Sequence, residues 1–120
     1  MICPIFPDIY FDKAYSMNAN VQQAHKMILD NTNNPKFKII DVRSEGEYHS
    51  SHIKGSKLIP LGELGKHMPT FKKDETYLMV CRSGNRSGIA AMQLNSQGFK
   101  AINMEGGMVS WTSAQYPTAK

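Results

Sequence analysis

Cysteine is scarce in this sequence, and long apolar runs are missing from it. The 120 residues include two cysteines, Cys3 and Cys81. No apolar run approaches the roughly 20 residues that a bilayer-spanning helix needs, so we expect no membrane-spanning segment and no membrane partner. Two cysteines are too few for a disulfide framework, and their positions lack metal-ligand spacing. The chemical interest therefore lies in thiol reactivity and falls on Cys81.

The first residues lack the features of a secretory signal. The stretch MICPIFPDIYFDKAYS has no basic leading segment, and Pro4, Pro7 and Asp8 interrupt its apolar residues. A signal peptide requires an unbroken apolar core, so we expect the chain to remain in the cytoplasm. Residues 1–15 match no structural pattern and are treated as an N-terminal extension.

Positive charge is present but is not concentrated. Lysine and arginine number 14 against 10 aspartate and glutamate residues, which gives a formal net charge of +4. The lysines are scattered, with no basic run and no interleaved aromatic platform, which argues against a nucleic-acid partner. A solvated, mildly basic surface is the better interpretation, and such a surface favours encounter with small anions.

Strands alternate with helical segments along the chain. A hydrophobic fraction of 41% in 120 residues favours one globular domain with a single core. Helices are predicted within residues 18–31, 43–56, 61–68, 86–98 and 108–114, and strands at 36–42, 57–60, 75–80 and 100–104. This order predicts an α/β fold in which a single domain, residues 16–116, has a mainly parallel central sheet flanked by helices on both faces. Residues 117–120 are predicted to form a short tail.

Cys81 lies at the junction of a predicted buried strand and a polar loop. In the stretch YLMVCRSGNRSGIAAMQLNSQGF it directly follows an apolar run and precedes RSGNRSG. Open α/β sheets bind ligands at the carboxyl ends of their strands. A helix that begins near Ser87 would direct backbone N–H groups and the positive end of its dipole toward the sulfur. The pattern predicts a site at Cys81 that attracts an anion.

Four residues of this loop suit a backbone that curls around an anion. Gly84 adopts positive φ readily, and Asn85 tolerates it better than most residues. Ser83 and Ser87 supply hydroxyl donors, and Ser87 is also a candidate N-cap of the following helix. We expect the curl to point successive N–H groups inward.

The two arginines of the loop, Arg82 and Arg86, carry charge that does not titrate at neutral pH. An ordinary cysteine thiol has a pKa near 8.5, and lowering it by about two units would make the thiol mostly thiolate. The cations and the N–H groups act in that direction. The alternative is a small buried cysteine that serves packing only, but packing gives no reason to gather cations and glycines beside the sulfur.

Three segments carry a family resemblance. DVRSEGEYHSSHIKGSKLIP is similar to the pattern D-x-R-x-x-x-E-[FY]-x-x-G-H-I-x-G-[AS], ETYLMVCRSGNRS to an active-site strand and loop, and NMEGGMVSW to a C-terminal G-G-x-x-x-W. In this order they resemble the single-domain rhodaneses, sulfurtransferases whose six-residue loop begins with a persulfide-carrying cysteine. Ser51 departs from the pattern because the family usually has glycine there, and we expect the change to affect a turn rather than the loop.

The resemblance implies a mechanism and a set of site residues. The Cys81 thiolate would attack the sulfane sulfur of thiosulfate, release sulfite and become a persulfide, and cyanide or a thiol such as thioredoxin or glutathione would then take up the sulfur. No metal and no organic cofactor is implied. The implied site comprises the catalytic Cys81, the loop residues Arg82, Ser83, Gly84, Asn85, Arg86 and Ser87, and the supporting residues Asp41, Arg43 and Glu47. Arg86 either orients the donor or is drawn to Asp41 or Glu47 and braces the loop.

Three other functions stay open at this point. Cysteine-based phosphatases and arsenate reductases use a seven-residue C-x5-R loop, whereas here the arginine comes one position earlier, at Arg86. The smaller loop suits a single sulfur better than a phosphoryl group. A binding module with a rhodanese fold would not need the cysteine that this chain keeps. A redox sensor would use the same reactive thiol. Cys3 could serve as its resolving partner, but its place in a Pro-rich segment favours an incidental cysteine.

Asp41, two histidines and two glycines have plainer interpretations. Asp41 is interpreted as a buried partner for a cation rather than a catalytic acid, because thiolate attack on sulfur needs no proton abstraction there. His49 and His52 form an H-x-x-H pair, but no third ligand lies near them in the sequence, so no metal site is predicted. Gly106 and Gly107 are expected to let the backbone pass close to the active-site loop.

Overall fold

Five parallel strands form the sheet at the centre of the fold. The computed structural model describes residues 18–120. The strands are β1 (Asn18–Ala19), β2 (Phe37–Asp41), β3 (Lys57–Leu58), β4 (Thr76–Val80) and β5 (Lys100–Met104). They lie in the order β1-β5-β4-β2-β3, and each neighbouring pair is parallel. The predicted α/β class is confirmed, and β4, which leads to Cys81, is the central strand.

Helices connect the strands. They are α1 (Val21–Asp30), α2 (Glu45–Ser50), α3 (Leu64–His67), α4 (Asn85–Ser96) and α5 (Gly107–Ser113). The short helix predicted within 61–68 is present as α3, which has four residues and is flanked by 3-10 turns at Leu61–Glu63 and Met68–Thr70. Glycines within this segment disfavour a continuous helix. None of the helices in residues 18–120 is long and apolar enough to cross a bilayer.

Alternate residues of β4 pack on opposite faces of the sheet, as side chains of a strand must. Leu78 and Val80 belong to a buried cluster that includes residues of α1 and α5. Tyr77, Met79 and Cys81 belong to a second cluster with residues of α3 and α4. Helices therefore cover both faces, as the sequence predicts, and the Cys81 side chain lies on the face covered by α4.

The first strand and the C-terminal residues were not placed by the sequence pattern. Strand β1 pairs with β5 through Asn18 and Asn103, at the edge of the sheet. Asn20 follows it and caps α1 by accepting a hydrogen bond from the backbone of Gln23. Near the C-terminus, Ala119 forms an antiparallel bridge with His52, so residues 117–120 contact the domain.

Candidate active site

Cys81 occupies the first position after β4, where the chain turns into the loop. The residue is 1% exposed. Gly84 takes a left-handed conformation with φ of 102° and is the N-cap of α4, which begins at Asn85. Helix α4 thus begins two residues before Ser87, near the predicted start, but the prediction of Ser87 as a candidate cap is wrong, because Gly84 is the N-cap. Ser87 consequently lies in the first turn of α4, fully buried, with its hydroxyl facing the sulfur.

The Cys81 sulfur accepts hydrogen bonds from the loop and from α4. The Gly84 N–H lies 3.0 Å from Sγ, and the Ser87 hydroxyl oxygen lies 3.3 Å from it. Burial raises the pKa of the Cys81 thiol, but hydrogen bonds from the Ser87 hydroxyl and from the backbone N–H groups of Ser87, Gly84 and Ser83 outweigh burial, so the pKa is lowered. The arrangement stabilises negative charge on sulfur.

Helix α5 holds the loop with its N–H groups turned inward. The Cys81 carbonyl accepts from the Met108 N–H at 2.9 Å, and the Arg82 carbonyl accepts from the Val109 N–H at 3.0 Å. Two loop carbonyls are therefore bonded to α5 and directed away from the sulfur. A Cβ atom at Gly107 would lie 2.5 Å from the Cys81 and Arg82 carbonyl oxygens, so only glycine allows this approach. The structure agrees with the close backbone approach expected at Gly106 and Gly107.

Arg86 pairs with Glu47 rather than facing open solvent. Its guanidinium donates two hydrogen bonds to the carboxylate, from Nη1 to Oε1 at 2.8 Å and from Nη2 to Oε2 at 2.9 Å. The hydrogen bond to Arg86 is the main reason why the pKa of Glu47 falls to about 2, although partial burial opposes the change. Of the two placements that the sequence left open, the geometry shows the one in which Arg86 is drawn to Glu47.

A buried ion pair fixes the segment that carries Glu47. Asp41 is fully buried, and its carboxylate accepts from Arg43 Nε at 2.9 Å and from Arg43 Nη2 at 2.8 Å. Arg43 Nη2 also donates to the Ser51 carbonyl at 2.6 Å, at the end of α2. Asp41 therefore acts as the partner of a buried cation, and the pair ties both ends of α2 to β2. Ser51 has φ of −171°, an extended conformation open to any residue, so the departure from glycine causes no strain there.

Arg82 and Ser83 lie on the loop, Asn85 is the first residue of α4, and the Arg82 side chain is exposed. Within the part of the chain that the structure describes, the Arg82 guanidinium forms no ion pair or side-chain hydrogen bond. The charge of Arg86 is therefore neutralised by Glu47, whereas the charge of Arg82 is available to an anion.

Two other groups considered from the sequence lie apart from this arrangement. His52 stacks on Tyr48 with ring centroids 3.8 Å apart, and its Nδ1 lies 2.9 Å from the Tyr48 carbonyl. These contacts give His52 a structural role. Cys3, considered as a resolving thiol, lies outside the described residues.

The sequence analysis missed Asn103, which the structure places beside Ser87. Asn103 Oδ1 accepts a hydrogen bond from the Ser87 hydroxyl at 2.5 Å, and Asn103 is 8% exposed. The sequence pattern of β5 could have revealed this position, because side chains two residues apart on a strand lie on the same face. Asn103 lies two positions after Ala101, which belongs to the buried cluster that contains Cys81. A polar side chain at an inward position of a buried strand indicates a specific partner.

The chain belongs to the Rhodanese-like domain family, which matches residues 21–114. A crystal structure of a rhodanese-like domain protein from Staphylococcus aureus superposes with a TM-score of 0.71 at 30% identity, over 79% of this chain and 90% of that one. The fold is therefore that of a rhodanese-like domain.

Two of the curated relatives from Bacillus subtilis have names that refer to sulfur. The protein named "Putative sulfurtransferase YtwF" is 39% identical over 79 residues, which cover 66% of this chain and 77% of the relative. The protein named "Putative sulfur carrier protein YrkF" is 42% identical over 77 residues, or 63% of this chain and 42% of the relative. This chain therefore spans less than half of the second relative. The family and these names support a sulfur-transfer role of the transferase type.

Proposed function

We propose that this protein transfers a sulfane sulfur through a persulfide on Cys81. The observation that supports the proposal best is the pair of hydrogen bonds to Sγ from the Gly84 N–H and the Ser87 hydroxyl. A cysteine that only filled space would have no need of donors aimed at its sulfur. Donors of this kind stabilise the thiolate before the reaction and the negative terminal sulfur of the persulfide after it.

In the first step the Cys81 thiolate attacks the outer sulfur of thiosulfate. A bond forms between Sγ and that sulfur, the sulfur–sulfur bond of thiosulfate breaks, and its electron pair leaves on sulfite. In the second step an acceptor thiolate attacks the terminal sulfur of the Cys81 persulfide, takes it as its own persulfide and returns the Cys81 thiolate. Cyanide as acceptor gives thiocyanate. This is a ping-pong cycle, and it needs no added oxidant or reductant.

The proposed roles of the arginines follow from their different surroundings. Arg82, with no anionic partner among residues 18–120, is proposed to orient the anionic donor and to stabilise the charge on departing sulfite. Arg86, paired with Glu47, is proposed to hold the loop in shape. The near-complete burial of Cys81 favours a donor whose reactive sulfur is terminal, as it is in thiosulfate or a persulfide.

The physiological donor and acceptor remain proposals taken from the sequence. We propose thiosulfate or a protein persulfide as the donor, and thioredoxin or glutathione as the acceptor, in the cytoplasm. The relative from Mycobacterium tuberculosis named "Probable adenylyltransferase/sulfurtransferase MoeZ" is 34% identical over 85 residues. Its name is consistent with transfer of sulfur by domains of this kind.

The test is the intact mass of the reduced protein after brief exposure to thiosulfate. Wild type is expected to gain one sulfur, which dithiothreitol removes, and which cyanide removes as thiocyanate. Cys81→Ser should gain none, and Cys3→Ser should behave as wild type. Failure of wild type to gain sulfur from thiosulfate or from a persulfide donor, with Cys81 shown to be reduced, would leave the binding module or the redox sensor as the better interpretation.

A further inference from the structure

A line of four polar side chains runs from the Cys81 sulfur to the edge of the sheet. The Ser87 hydroxyl lies between Cys81 Sγ at 3.3 Å and Asn103 Oδ1 at 2.5 Å. Asn103 Nδ2 in turn donates to Asn18 Oδ1 at 3.3 Å. The strand register produces the line, because Asn18 of β1 and Met79 of β4 are both direct partners of Asn103 on β5.

The Ser87 hydroxyl has two acceptors and one proton. It can donate to the sulfur or to the Asn103 carbonyl oxygen, but not to both at full strength. When the hydroxyl donates to Asn103, a Cys81 thiolate loses its hydrogen bond from Ser87. A protonated Cys81 thiol can instead donate its own proton to the Ser87 oxygen. The arrangement with Ser87 donating to Asn103 therefore suits a Cys81 thiol.

The opposite arrangement suits a thiolate. If the Asn103 amide turns over about its Cβ–Cγ bond, Nδ2 donates to the Ser87 oxygen, and the Ser87 proton is left to point at the sulfur. Asn103 Oδ1 then faces Asn18, whose own amide can turn to donate to it. Each side chain in the line therefore keeps a hydrogen-bond partner, whether the Ser87 hydroxyl donates to Asn103 or to the sulfur. Gly88 of α4 presents no side chain to the amide, since a Cβ atom there would lie 3.4 Å from Asn103 Nδ2.

We propose that Asn103 is a positioning residue whose side-chain amide sets the direction of the Ser87 hydroxyl, and that the amide turns over when the Cys81 sulfur becomes negatively charged. The inference deepens the proposed function and rests on it, because the thiolate and the persulfide are both negatively charged at this sulfur. Asn103 touches no reacting atom and acts through Ser87.

Other charged groups near the sulfur are already engaged or lie on the loop surface. Asp41 pairs with Arg43, and Glu47 pairs with Arg86. Arg82 is exposed. Among residues 18–120, the side-chain hydrogen bonds of Ser87 reach only Cys81 and Asn103. The direction of the Ser87 hydroxyl therefore depends on Asn103 and on the charge of the sulfur.

The first test follows thiolate formation in reduced protein by its ultraviolet absorbance as the pH is raised. Cys3→Ser removes the second thiol, and subtraction of the same titration of Cys81→Ser removes the tyrosine signal. Asn103→Leu keeps the branched shape of the side chain but removes both amide functions, and Ser87→Ala removes the hydroxyl. Ser87→Ala loses a hydrogen bond to the charged sulfur, so it is expected to raise the Cys81 pKa by about one unit. Asn103→Leu removes the oxygen that competes with the sulfur for the Ser87 proton, so it is expected to lower the Cys81 pKa by about one unit or less.

Two further variants test whether Asn103 acts through Ser87: the double variant at both positions, and a substitution at another buried asparagine. If Asn103 acts through Ser87, Ser87→Ala with Asn103→Leu should have the same pKa as Ser87→Ala alone. Asn31→Leu removes another buried amide, one that donates to the Met27 carbonyl at 2.7 Å, and should leave the Cys81 pKa unchanged. An unchanged pKa in folded Asn103→Leu, or additive shifts in the double variant, would overturn the proposal.

A second measurement needs no substitution at Asn103. The side-chain amide NMR signals of Asn103 are expected to change with the same pH midpoint as Cys81 thiolate formation, and to stop doing so in Ser87→Ala. Signals that do not follow Cys81 in wild type, or that follow it equally in Ser87→Ala, would overturn the proposal. Neither measurement uses a sulfur donor. The inference can therefore fail while sulfur transfer is observed, or hold while it is not.

Discussion

Arg86 and Glu47 form a bidentate ion pair between α4 and α2, across 39 positions of sequence. The pair lies at the end of the loop that begins with Cys81, and the buried pair of Asp41 and Arg43 fixes the helix from which Glu47 reaches it. Two ion pairs in series thus connect the loop to β2. The loop is held on its other side by α5, so its shape is set by contacts that leave the sulfur and Arg82 free for chemistry.

The pair between Glu47 and Arg86 predicts a pH dependence of stability. Folding lowers the pKa of Glu47 from its ordinary value of 4.5 to about 2, so the folded protein binds fewer protons than the unfolded chain between these values. The stabilisation is complete above the ordinary value and is lost as the pH falls toward 2. At neutral pH we expect Glu47→Gln to lower the free energy of unfolding by about 1 kcal/mol or less, because both partners are partly exposed and water screens the pair.

Denaturant unfolding at neutral pH and near pH 3 measures this effect. Wild type should lose more stability between the two conditions than Glu47→Gln does. Glu63→Gln removes an exposed carboxylate from another element and serves as the control for net charge. Equal losses in wild type and Glu47→Gln would contradict the assigned role of the pair.

Gly107 is predicted to be irreplaceable for the shape of the loop. The Cβ of Gly107→Ala would lie 2.5 Å from two loop carbonyl oxygens, and the backbone φ of 58° is unfavourable for alanine. We expect a loss of about 1–3 kcal/mol in stability and a larger relative loss of sulfur loading, because the strain falls on the loop. Gly65→Ala, where nothing lies within 4 Å of the added atom, should retain both. Normal loading of Gly107→Ala would show that the contact with α5 does not shape the site.

Arg82 is predicted to act on the donor and not on the thiol. Arg82→Ala should lower kcat/KM for thiosulfate about tenfold, which corresponds to about 1.4 kcal/mol. Arg82→Lys keeps the charge and should lose less, although it cannot bind the anion in bidentate fashion. The rate of alkylation by neutral iodoacetamide should stay near wild type in both. A tenfold loss in alkylation as well would mean that Arg82 acts by stabilising the thiolate.

Much of this arrangement could be predicted from sequence because the signals are local. Apolar runs at 36–42, 75–80 and 100–104 correspond to β2, β4 and β5. The alternation of strands and helices then fixes a parallel sheet with Cys81 at a strand end, since parallel strands need crossover connections. The glycines at 106 and 107 were expected near the loop, and the lack of room for a Cβ atom at Gly107 gives the reason in atomic terms.

The features that could not be predicted depend on distant residues. Strand β1 has only two residues and therefore no alternation, so its pairing with β5 leaves no pattern. The partner of Arg86 was undecided between Asp41 and Glu47, since the choice depends on Arg43 occupying Asp41 first. Helix α4 begins two residues before Ser87 because Gly84 takes a left-handed turn, whereas the sequence offered both Gly84 and Asn85 as residues that accept positive φ.

Asp41 is predicted to matter most for stability, because its pair with Arg43 is buried. Asp41 is 0% exposed and Arg43 is 5% exposed. Asp41→Asn leaves the guanidinium charge without its partner, so we expect a loss of about 3 kcal/mol or more in denaturant unfolding. Asp74→Asn, which breaks the exposed pair with Lys36, is the matched control and should change little.

The same argument predicts that the two changes at this pair are not additive. Arg43→Met added to Asp41→Asn removes the unpaired charge, so the double variant should be more stable than Asp41→Asn alone. Sulfur loading should nevertheless stay low in the double variant, because Arg43 no longer holds the Ser51 carbonyl and α2 no longer positions Glu47 against Arg86. Recovery of both stability and loading would show that the loop does not depend on α2. Recovery of stability without recovery of loading would show that the pair of Asp41 and Arg43 has two separate effects, one on folding and one on the shape of the site.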